Sequence, residues 1–244
     1  MARSAYLLFG ILAYFVFFGT FLYLIGFVGD LTWLPHTVDR PTGTTGAAGA
    51  AAIDGALVAL FGVQHSVMAR KGFKEAWTRI VPEPVERSTY LVFASLALIA
   101  MYALWQPLPQ VVWAVGGTAA MLLWGLFALG WLIVLLSTFL INHFELFGLQ
   151  QVWNHARGAG LPPPAFRQPF FYRLVRHPLY SGFFIAFWAI PTMTMGHLLL
   201  AGGMSLYMLV AIEFEERDLV RLFGRDYQEY RARVGKLMPR VRRG

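Results

Sequence analysis

The polar residues best suited to chemistry lie in the C-terminal half of the chain. Arg176 and His177 stand directly before Pro178, a residue that fits the first turn of a helix because its missing N–H costs nothing there. Two cationic or hydrogen-bonding side chains beside a helix N-terminus favour an anionic group such as a carboxylate. This dipeptide therefore predicts a binding site for an anionic part of a ligand.

Carboxylates and aromatic rings follow further along the same half. Glu215 and Glu216 can bind ribose hydroxyls or an ammonium group, because carboxylates accept several hydrogen bonds. The rings of Tyr180, Tyr227 and Tyr230 can face a cation. A zwitterionic sulfonium compound that carries a ribose matches all of these groups together.

Two alternatives need no ligand. Arg176 and His177 could serve only as anchors at the membrane interface. The two glutamates could instead form a solvated helix face, paired with Arg217 and Arg221 at helical spacing.

A second polar group directly follows a long apolar stretch. His143 and Glu145 lie at or just inside the predicted membrane boundary, where ionisable residues are costly and need a partner or a cavity. They are a candidate reaction centre, acting as a general base or as a substrate-orienting pair. Interfacial snorkelling is the alternative. His65, at the end of another apolar stretch, is the second candidate base.

Composition indicates that membrane helices position these residues. Hydrophobic residues make up 57% of the chain and charged residues 14%, which is unusual for a soluble domain. Apolar stretches long enough to cross a bilayer cover residues 5–28, 50–69, 89–105 and 111–141, and two shorter ones cover 179–195 and 198–214. The stretches are continuous rather than alternating in polarity, so helices are the expected spanning structure.

We therefore predict an all-α integral membrane protein, a bundle of about six transmembrane helices. The last two would form a short hairpin broken at Gly196 and His197, and a re-entrant hairpin is the alternative. A single domain is expected over 1–244, with four helices in 1–141 and a cofactor-binding core in 142–244. The Gly-, Thr- and Pro-rich segment 29–49 suits a flexible connector without chemistry.

Basic residues indicate the orientation. Every Lys and Arg except Arg40 falls on one side of the six-helix arrangement, which predicts a multi-pass protein of the inner (cytoplasmic) membrane with both termini and a helical C-terminal tail in the cytosol. The net charge of +7 favours anionic membrane lipid as a partner, and nucleic-acid binding is disfavoured because no compact module presents the charges. The chain has no Cys, and neither a metal site nor an obligate protein partner is predicted.

Three linked motifs carry a resemblance to a known family. They are the run Arg176 to Gly182, the pair Glu215-Glu216 with Phe223-Gly224 and the two later tyrosines, and the closing Met238-Pro239-Arg240. In these motifs the chain resembles the isoprenylcysteine carboxyl methyltransferase family of integral membrane methyltransferases, over about 142–240. The resemblance implies S-adenosylmethionine as cofactor, bound by Arg176, His177, Leu179, Tyr180, Gly182, Glu215, Glu216, Tyr227 and Tyr230. One departure is Gly235, where the family often has Pro.

Within that family, residues 64–70, 86–90 and 142–149 resemble the bacterial methanethiol S-methyltransferase branch. The branch implies transfer of the methyl group to a small thiol, giving dimethyl sulfide from methanethiol. Because the thiolate is the competent nucleophile and alkyl thiols have a pKa above neutrality, a base is expected. His143 and Glu145 are the first choice for this role and His65 is the second.

Other functions stay open at this point. An isoprenylcysteine carboxylate or a lipid could be the methyl acceptor. Related membrane sterol reductases use a nicotinamide cofactor, but those chains are longer and have more helices. NnrU-like membrane proteins suggest a non-enzymatic or haem-related role, although His143, His155 and His177 are not at a recognised ligand spacing.

Overall fold

The computed structural model describes residues 2–40, 43–161, 163 and 165–240. Ten α-helices and two short strands occur within those ranges: α1 (Ala2–Val28), α2 (Ala47–Ala69), α3 (Lys71–Trp77), α4 (Glu83–Leu104), β1 (Val111–Ala114), α5 (Gly117–Ile141), α6 (His143–Leu146), α7 (Leu149–Arg157), α8 (Pro178–Trp188), β2 (Thr192–Thr194), α9 (Met195–Phe223) and α10 (Arg225–Arg233). A 3-10 turn covers Phe170–Arg173.

Five helices in the described ranges are long and apolar enough to cross a membrane: α1, α2, α4, α5 and α9. Each carries about 20 residues or more, which at 1.5 Å per residue matches a hydrocarbon core of about 30 Å. Their exposed side chains are mainly large and apolar, as expected of a surface that faces lipid. The prediction of an all-α integral membrane protein is confirmed.

The last two predicted helices differ in length. Helix α8 has 11 residues and α9 has 29, and the expected break at Gly196 and His197 falls inside the first turn of α9. The reason is a cap: the Thr194 hydroxyl accepts the backbone N–H of His197 at 3.1 Å, so the helix begins before the glycine. The second member of the pair, with 29 residues, is therefore long enough to span the membrane.

An extended segment continues the path of the short α8. Residues Ala189, Ile190, Pro191 and Met193 are buried, and the Pro191 carbonyl oxygen accepts the N–H of Val115 at 3.0 Å. Irregular backbone is tolerated at membrane depth when protein covers it and its polar groups are paired. The extended residues then lead to β2, which pairs with β1.

The chain divides into two compact units. The first contains residues 1–113, 144–162 and 193–203, and the second contains 114–143, 163–192 and 204–244. A single domain over 1–244 stays a prediction.

Residues 29–40 of the first unit are held by side-chain contacts, so the prediction of a flexible connector is wrong for them. Arg40 Nε lies 2.9 Å from Asp30 Oδ1, and the same guanidinium donates to the carbonyl oxygens of Leu31 and Thr32. The Thr37 hydroxyl also donates to Asp30. The Arg40 side chain thus holds the segment as a hydrogen-bonded loop.

In the second unit, helices α5 and α8 approach closely through glycines. A Cβ at Gly182 would lie 2.7 Å from the Gly130 carbonyl oxygen, and one at Gly130 would lie 2.7 Å from the backbone N of Ala186. Small residues of this kind let membrane helices pack backbone to backbone. This contact fixes the start of α8, where Arg176 and His177 lie.

Candidate active site

A buried carboxylate, Glu216 of α9, is the centre of the second unit's polar cluster. Its side chain is 3% exposed, and its Oε1 lies 2.7 Å from both Arg176 Nε and Nη2 and 3.1 Å from His177 Nε2. Arg231 Nε lies 3.5 Å from Oε2. Because two guanidinium groups and an imidazole surround this buried carboxylate, the solvated-face interpretation is wrong for Glu216.

Arg176 also fastens the C-terminal tail. Its Nη1 donates to the carbonyl oxygens of Arg231, at 3.1 Å, and of Val234. With Nε and Nη2 on Glu216, most of the five guanidinium N–H groups are already bound within the protein. Arg176 therefore serves as a brace between α9 and the tail.

The tail runs beside the residues that precede α8. Val175 and Gly235 form a parallel bridge, and the N–H groups of Arg176 and His177 donate to the carbonyl oxygens of Gly235 and Lys236 at 2.8 and 3.1 Å. A Cβ at Gly235 would collide with the carbonyl oxygen of Met238. The departure from Pro at this position therefore has a steric reason in the local turn.

Aromatic side chains cover one side of the cluster. The ring of Phe166 lies 5.9 Å from Tyr227 and 5.4 Å from Tyr230, and Tyr230 donates its hydroxyl to the Tyr172 carbonyl oxygen at 2.6 Å. Burial, with the nearby Glu216 carboxylate, raises the pKa of Tyr230 to about 12. Both tyrosines are thus neutral hydrogen-bonding groups at physiological pH, since burial also raises the pKa of Tyr227.

Tyr227 differs from Tyr230 in the hydrogen bonding of its hydroxyl. Its side chain is 2% exposed, yet within the described part of the chain its Oη has no hydrogen-bond partner. A buried phenol usually finds a partner, so an unpaired one marks a position where a ligand group can bind.

The remaining predicted cofactor residues lie on α8 and α9. Glu215 is 43% exposed, with Oε1 3.9 Å from His177 Nδ1, so it is the accessible carboxylate of the pair. The Tyr180 ring lies 5.8 Å from the imidazole of His177. Leu179 is half-buried in the first turn of α8, and Gly182 faces α5 at the close helix contact.

His143 lies in the second unit, where α5 ends. Its ring stacks on Phe139 at 4.2 Å, and Nδ1 lies 2.9 Å from Thr138 Oγ1. The Thr138 hydroxyl already donates to the Leu135 carbonyl oxygen at 2.7 Å, so Nδ1 must supply the hydrogen and the lone pair lies on Nε2. Burial lowers the pKa of His143, which leaves the imidazole neutral near pH 7.

The other two predicted catalytic residues belong to the first unit. The carbonyl oxygen of Glu145 accepts the side-chain N–H of Gln151 at 3.0 Å and the N–H of Gly148 at 3.2 Å. The ring of His65 lies 5.1 Å from Phe61 and 5.0 Å from Tyr90. The structure therefore groups Glu145 and His65 within the first unit and His143 within the second.

Three contributors to the cluster were missed by sequence reasoning. Arg231 follows Tyr227 by four residues on the same helical face, a spacing that could have suggested it. Ser181, inside the quoted motif, donates to the Leu237 carbonyl oxygen at 2.8 Å. Phe166 lies in an irregular Pro-rich segment whose sequence carries no periodic signal.

Curated proteins with similar sequences identify the family. The chain is 54% identical to methanethiol S-methyltransferase 1 of Bradyrhizobium diazoefficiens over 95% of this chain and 81% of that protein. It is 49% identical to the methanethiol S-methyltransferase of Mycobacterium tuberculosis over 98% of both chains. A more distant relative is human nurim, 32% identical over 67% of this chain and 65% of nurim.

No family model matches the chain. No solved structure matches it either. The two methyltransferases, however, are similar to it at about half of all positions over nearly its whole length. The chain belongs to the methanethiol S-methyltransferase family of integral membrane proteins.

Proposed function

We propose that this protein transfers the methyl group of S-adenosylmethionine to methanethiol and releases dimethyl sulfide. The observation that carries the proposal is the identity of 54% and 49%, over 95% and 98% of the chain, to proteins named for methanethiol methylation. The arrangement of polar groups in the second unit supports it, because carboxylate, phenol and imidazole groups suit the parts of a zwitterionic nucleoside.

The proposed cofactor site divides its residues into contacts and framework. Glu215 and Tyr227 are the expected contacts, because one is the accessible carboxylate and the other has an unpaired buried hydroxyl. The carboxylate suits the ribose hydroxyls or the ammonium group, and the phenol suits a polar group of the same ligand. Tyr180 and Leu179 would line the adjoining turn of α8.

The framework holds these contacts in place. Arg176, His177 and Glu216 form one buried hydrogen-bonded cluster, and Tyr230 closes it against Tyr172. Gly182 contributes by letting α8 lie against α5. We therefore assign these residues to positioning rather than to direct cofactor contact.

His143 is the proposed base. Its hydrogen on Nδ1 is committed to Thr138, so the basic lone pair on Nε2 can accept the proton of a thiol. A neutral imidazole is required for this step, and burial maintains it by lowering the pKa. Glu145 and His65 are proposed to assist in orienting the thiol.

S-adenosylmethionine supplies an electrophilic methyl carbon when it is bound. The protein then needs mainly to align the thiolate and to exclude water, because alignment alone accounts for a large part of the acceleration in such displacements. An apolar membrane setting suits an apolar, volatile thiol, which can enter through lipid.

The sides of the membrane are also proposed. We count the short apolar helix α8 with residues 189–193 as a sixth crossing beside the five spanning helices, which returns the chain to the side on which it started. Lys and Arg residues concentrate between helices α2 and α4, between α7 and α8, and in the tail, which favours a cytosolic position for those segments and for both termini. The membrane would be the inner one, and the cofactor would enter from the cytosol.

The test is headspace gas chromatography of purified protein in liposomes, supplied with methanethiol and S-adenosylmethionine. Dimethyl sulfide should accumulate above the level in empty liposomes. His143→Ala should lower kcat on the order of a hundredfold, because a positioned base contributes about that much, while cofactor binding is retained. Glu145→Ala and His65→Ala, made in parallel, show which residues of the first unit contribute.

The pH dependence gives a further check. The pKa of His143 is lowered from its ordinary value of 6.5, so His143 should stay unprotonated between pH 8 and pH 6.5. Protonation of the base should therefore not reduce the wild-type rate in this pH range. Absence of dimethyl sulfide from protein that binds S-adenosylmethionine would refute methanethiol as the acceptor.

A further inference from the structure

The segment that leads into helix α8 exposes two large apolar side chains. Phe170 is 68% exposed and Leu174 is 54% exposed, and they lie in and directly after the 3-10 turn Phe170–Arg173. Helix α8 begins four residues after Leu174. We call residues 166–174, all of them in the second unit, the interfacial turn.

The packing of α8 on α5 indicates the depth of this turn. A Cβ at Gly182 would lie 2.9 Å from the side chain of Val134. A Cβ at Gly130 would lie 2.7 Å from the backbone N of Ala186, so the two helices run antiparallel. The start of α8 therefore lies beside the end of the spanning helix α5, where Ile141 is 47% exposed. The lipid-facing surface of α5 thus extends to the level at which the interfacial turn joins α8.

Cations accompany the exposed apolar side chains. Arg167 and Arg173 are both exposed, and no acidic residue occurs between Glu145 and Glu213 in the sequence. Arginine side chains bind lipid phosphates while apolar neighbours enter the hydrocarbon, and anionic lipids attract basic segments close to a membrane. The exposed side of the interfacial turn is therefore complementary to an anionic bilayer surface.

The other side of the interfacial turn packs on the polar cluster. The Phe166 ring contacts those of Tyr227 and Tyr230, and the Tyr172 carbonyl oxygen accepts the Tyr230 hydroxyl at 2.6 Å. Glu215 acts on this inner side, because its charge, together with burial, raises the pKa of Tyr172. The inner side thus faces a carboxylate, while the exposed side carries apolar and cationic groups.

The backbone of the interfacial turn is strained at its exposed ring. Phe170 has φ +30°, which is unfavourable for a bulky residue. Arg173 Nε donates to the Gln168 carbonyl oxygen at 3.2 Å and closes the turn around this residue. Strained residues concentrate at functional sites, and here the strained residue is the one that presents an aromatic ring outside the fold.

We propose that the interfacial turn docks on anionic phospholipid of the adjoining leaflet, with Phe170 and Leu174 inserted among the lipid chains. Arg167 and Arg173 bind the lipid phosphates. Docking holds the inner side of the turn against the polar cluster, so anionic lipid strengthens cofactor binding. The docking surface stands on the exposed residues alone, whereas the effect on S-adenosylmethionine rests on the proposed function.

Single labels can locate the turn, because the chain has no native cysteine. Phe170→Cys carries an apolar fluorophore in place of the ring. Arg225→Cys, at a position 88% exposed on α10, is the control in water, and Leu122→Cys, 66% exposed on α5, is the control in lipid. Each protein is reconstituted in vesicles of phosphatidylcholine alone or mixed equally with phosphatidylglycerol.

Quenchers of known depth then give the position of each label. Lipids with a nitroxide near the headgroup should quench the label at 170, and iodide in water should quench it far less than the label at 225. Nitroxides deep in the chain should quench the label at 122 instead. The protection at 170 should be greater with phosphatidylglycerol.

Cofactor binding tests the coupling. Isothermal titration of the wild type should give an affinity for S-adenosylmethionine higher on the order of fivefold with phosphatidylglycerol, the effect of about one basic residue near an anionic surface. Arg167→Gln combined with Arg173→Gln should bind the cofactor equally in both vesicles. Arg221→Gln combined with Arg225→Gln removes the same charge from exposed positions of the tail and should keep the wild-type difference.

The docking surface is refuted if iodide quenches the label at 170 as strongly as the label at 225. It is also refuted if neither iodide nor lipid nitroxides reach the label, because a second protein surface would then cover the turn. Docking with no change in cofactor affinity would refute the coupling. Failure of the wild type to bind S-adenosylmethionine in any vesicle would refute the proposed function, and the quenching result would still decide whether the turn docks on lipid.

Discussion

Two polar clusters of the molecule satisfy their hydrogen bonds to different degrees. Around Glu216, a buried carboxylate is matched by Arg176 and His177, and the remaining guanidinium N–H groups bind backbone carbonyls. Around Ser88, a fully buried hydroxyl has no partner within the described ranges. The buried charges of the first cluster are therefore paired within the protein, whereas the buried Ser88 hydroxyl is not paired with any described residue.

This contrast separates framework residues from residues that bind a ligand. A buried polar network with every member paired rigidifies its surroundings, while an unpaired buried group costs free energy unless a ligand pairs with it. The contrast recurs inside the second unit: Tyr230 is paired to Tyr172, and three residues earlier Tyr227 is not. Neighbours of the same type can therefore have different roles.

The largest effect is expected at the centre of the paired cluster. Glu216→Ala would leave the Arg176 guanidinium, 8% exposed, buried without its counter-charge. Removing one partner of a buried ion pair costs about 3–5 kcal/mol, so the variant should melt far below wild type or fail to accumulate folded. Thermal unfolding in detergent measures this.

Glu215→Ala is the matched control, because its carboxylate is 43% exposed and lies 3.9 Å from His177. It should fold normally and bind S-adenosylmethionine more weakly. If Glu216→Ala melted like wild type while Glu215→Ala unfolded, the division into framework and contact would be reversed.

A smaller effect separates the two tyrosines. Tyr227→Phe should weaken S-adenosylmethionine binding on the order of tenfold and leave the melting temperature unchanged, because it removes a hydroxyl that is unpaired within the protein. Tyr230→Phe should instead lower the free energy of unfolding by about 1 kcal/mol through loss of its bond to Tyr172. Isothermal titration and thermal unfolding of both variants test the pair.

Equal loss of cofactor affinity in the two tyrosine variants would contradict this assignment. A drop in the melting temperature of Tyr227→Phe would show that its hydroxyl has a structural partner after all.

The smallest effect concerns a third kind of group, one that is paired but poorly solvated. Burial raises the pKa of Asp39 from 3.8 to about 6, although the Thr194 hydroxyl donates to its carboxylate. The folded state thus binds more protons than the unfolded state between about pH 4 and 6, so stability falls as the pH rises through that window. Asp39→Asn should stabilise the protein above pH 6 by about 1 kcal/mol or less, allowing for solvent screening.

The measurement is the melting temperature of both proteins between pH 4 and 8. The two curves should converge near pH 4 and separate above pH 6. A constant offset at every pH would mean that ionisation of Asp39 is not the cause.

Hydropathy predicts much of the fold. The parts of the fold that hydropathy does not predict are determined by tertiary contacts. The spanning helices α1, α2, α4 and α5 lie close to their predicted ranges because a bilayer demands a long apolar stretch. Helix α8 was predicted as the shorter stretch 179–195 but ends at Trp188, since no local sequence feature indicates that residues 189–193 are extended. Their backbone is stable there because protein covers it, for example through the bond from Val115 to Pro191.

The sequence indicated which residues gather around Glu216, but not which of them are buried framework residues and which are accessible to a ligand. The sequence places Glu215 and Glu216 side by side, but adjacent positions on a helix point about 100° apart, so only the packing of α9 decides which one is buried. Ser88 gave no signal either, because a serine near a helix start is ordinary in sequence. Its burial depends on the approach of Gly148, which is distant along the chain.

The backbone pairing between residues 175–177 and the tail bears on biosynthesis. The carbonyl oxygens of Gly235 and Lys236 that hold Arg176 and His177 are synthesised after all five spanning helices, because they lie beyond Phe223 in the chain. The spanning helices can therefore be synthesised before the proposed cofactor site is assembled. A nascent chain that stops before residue 235 would carry the helices of this protein and still lack the backbone that orders the start of α8.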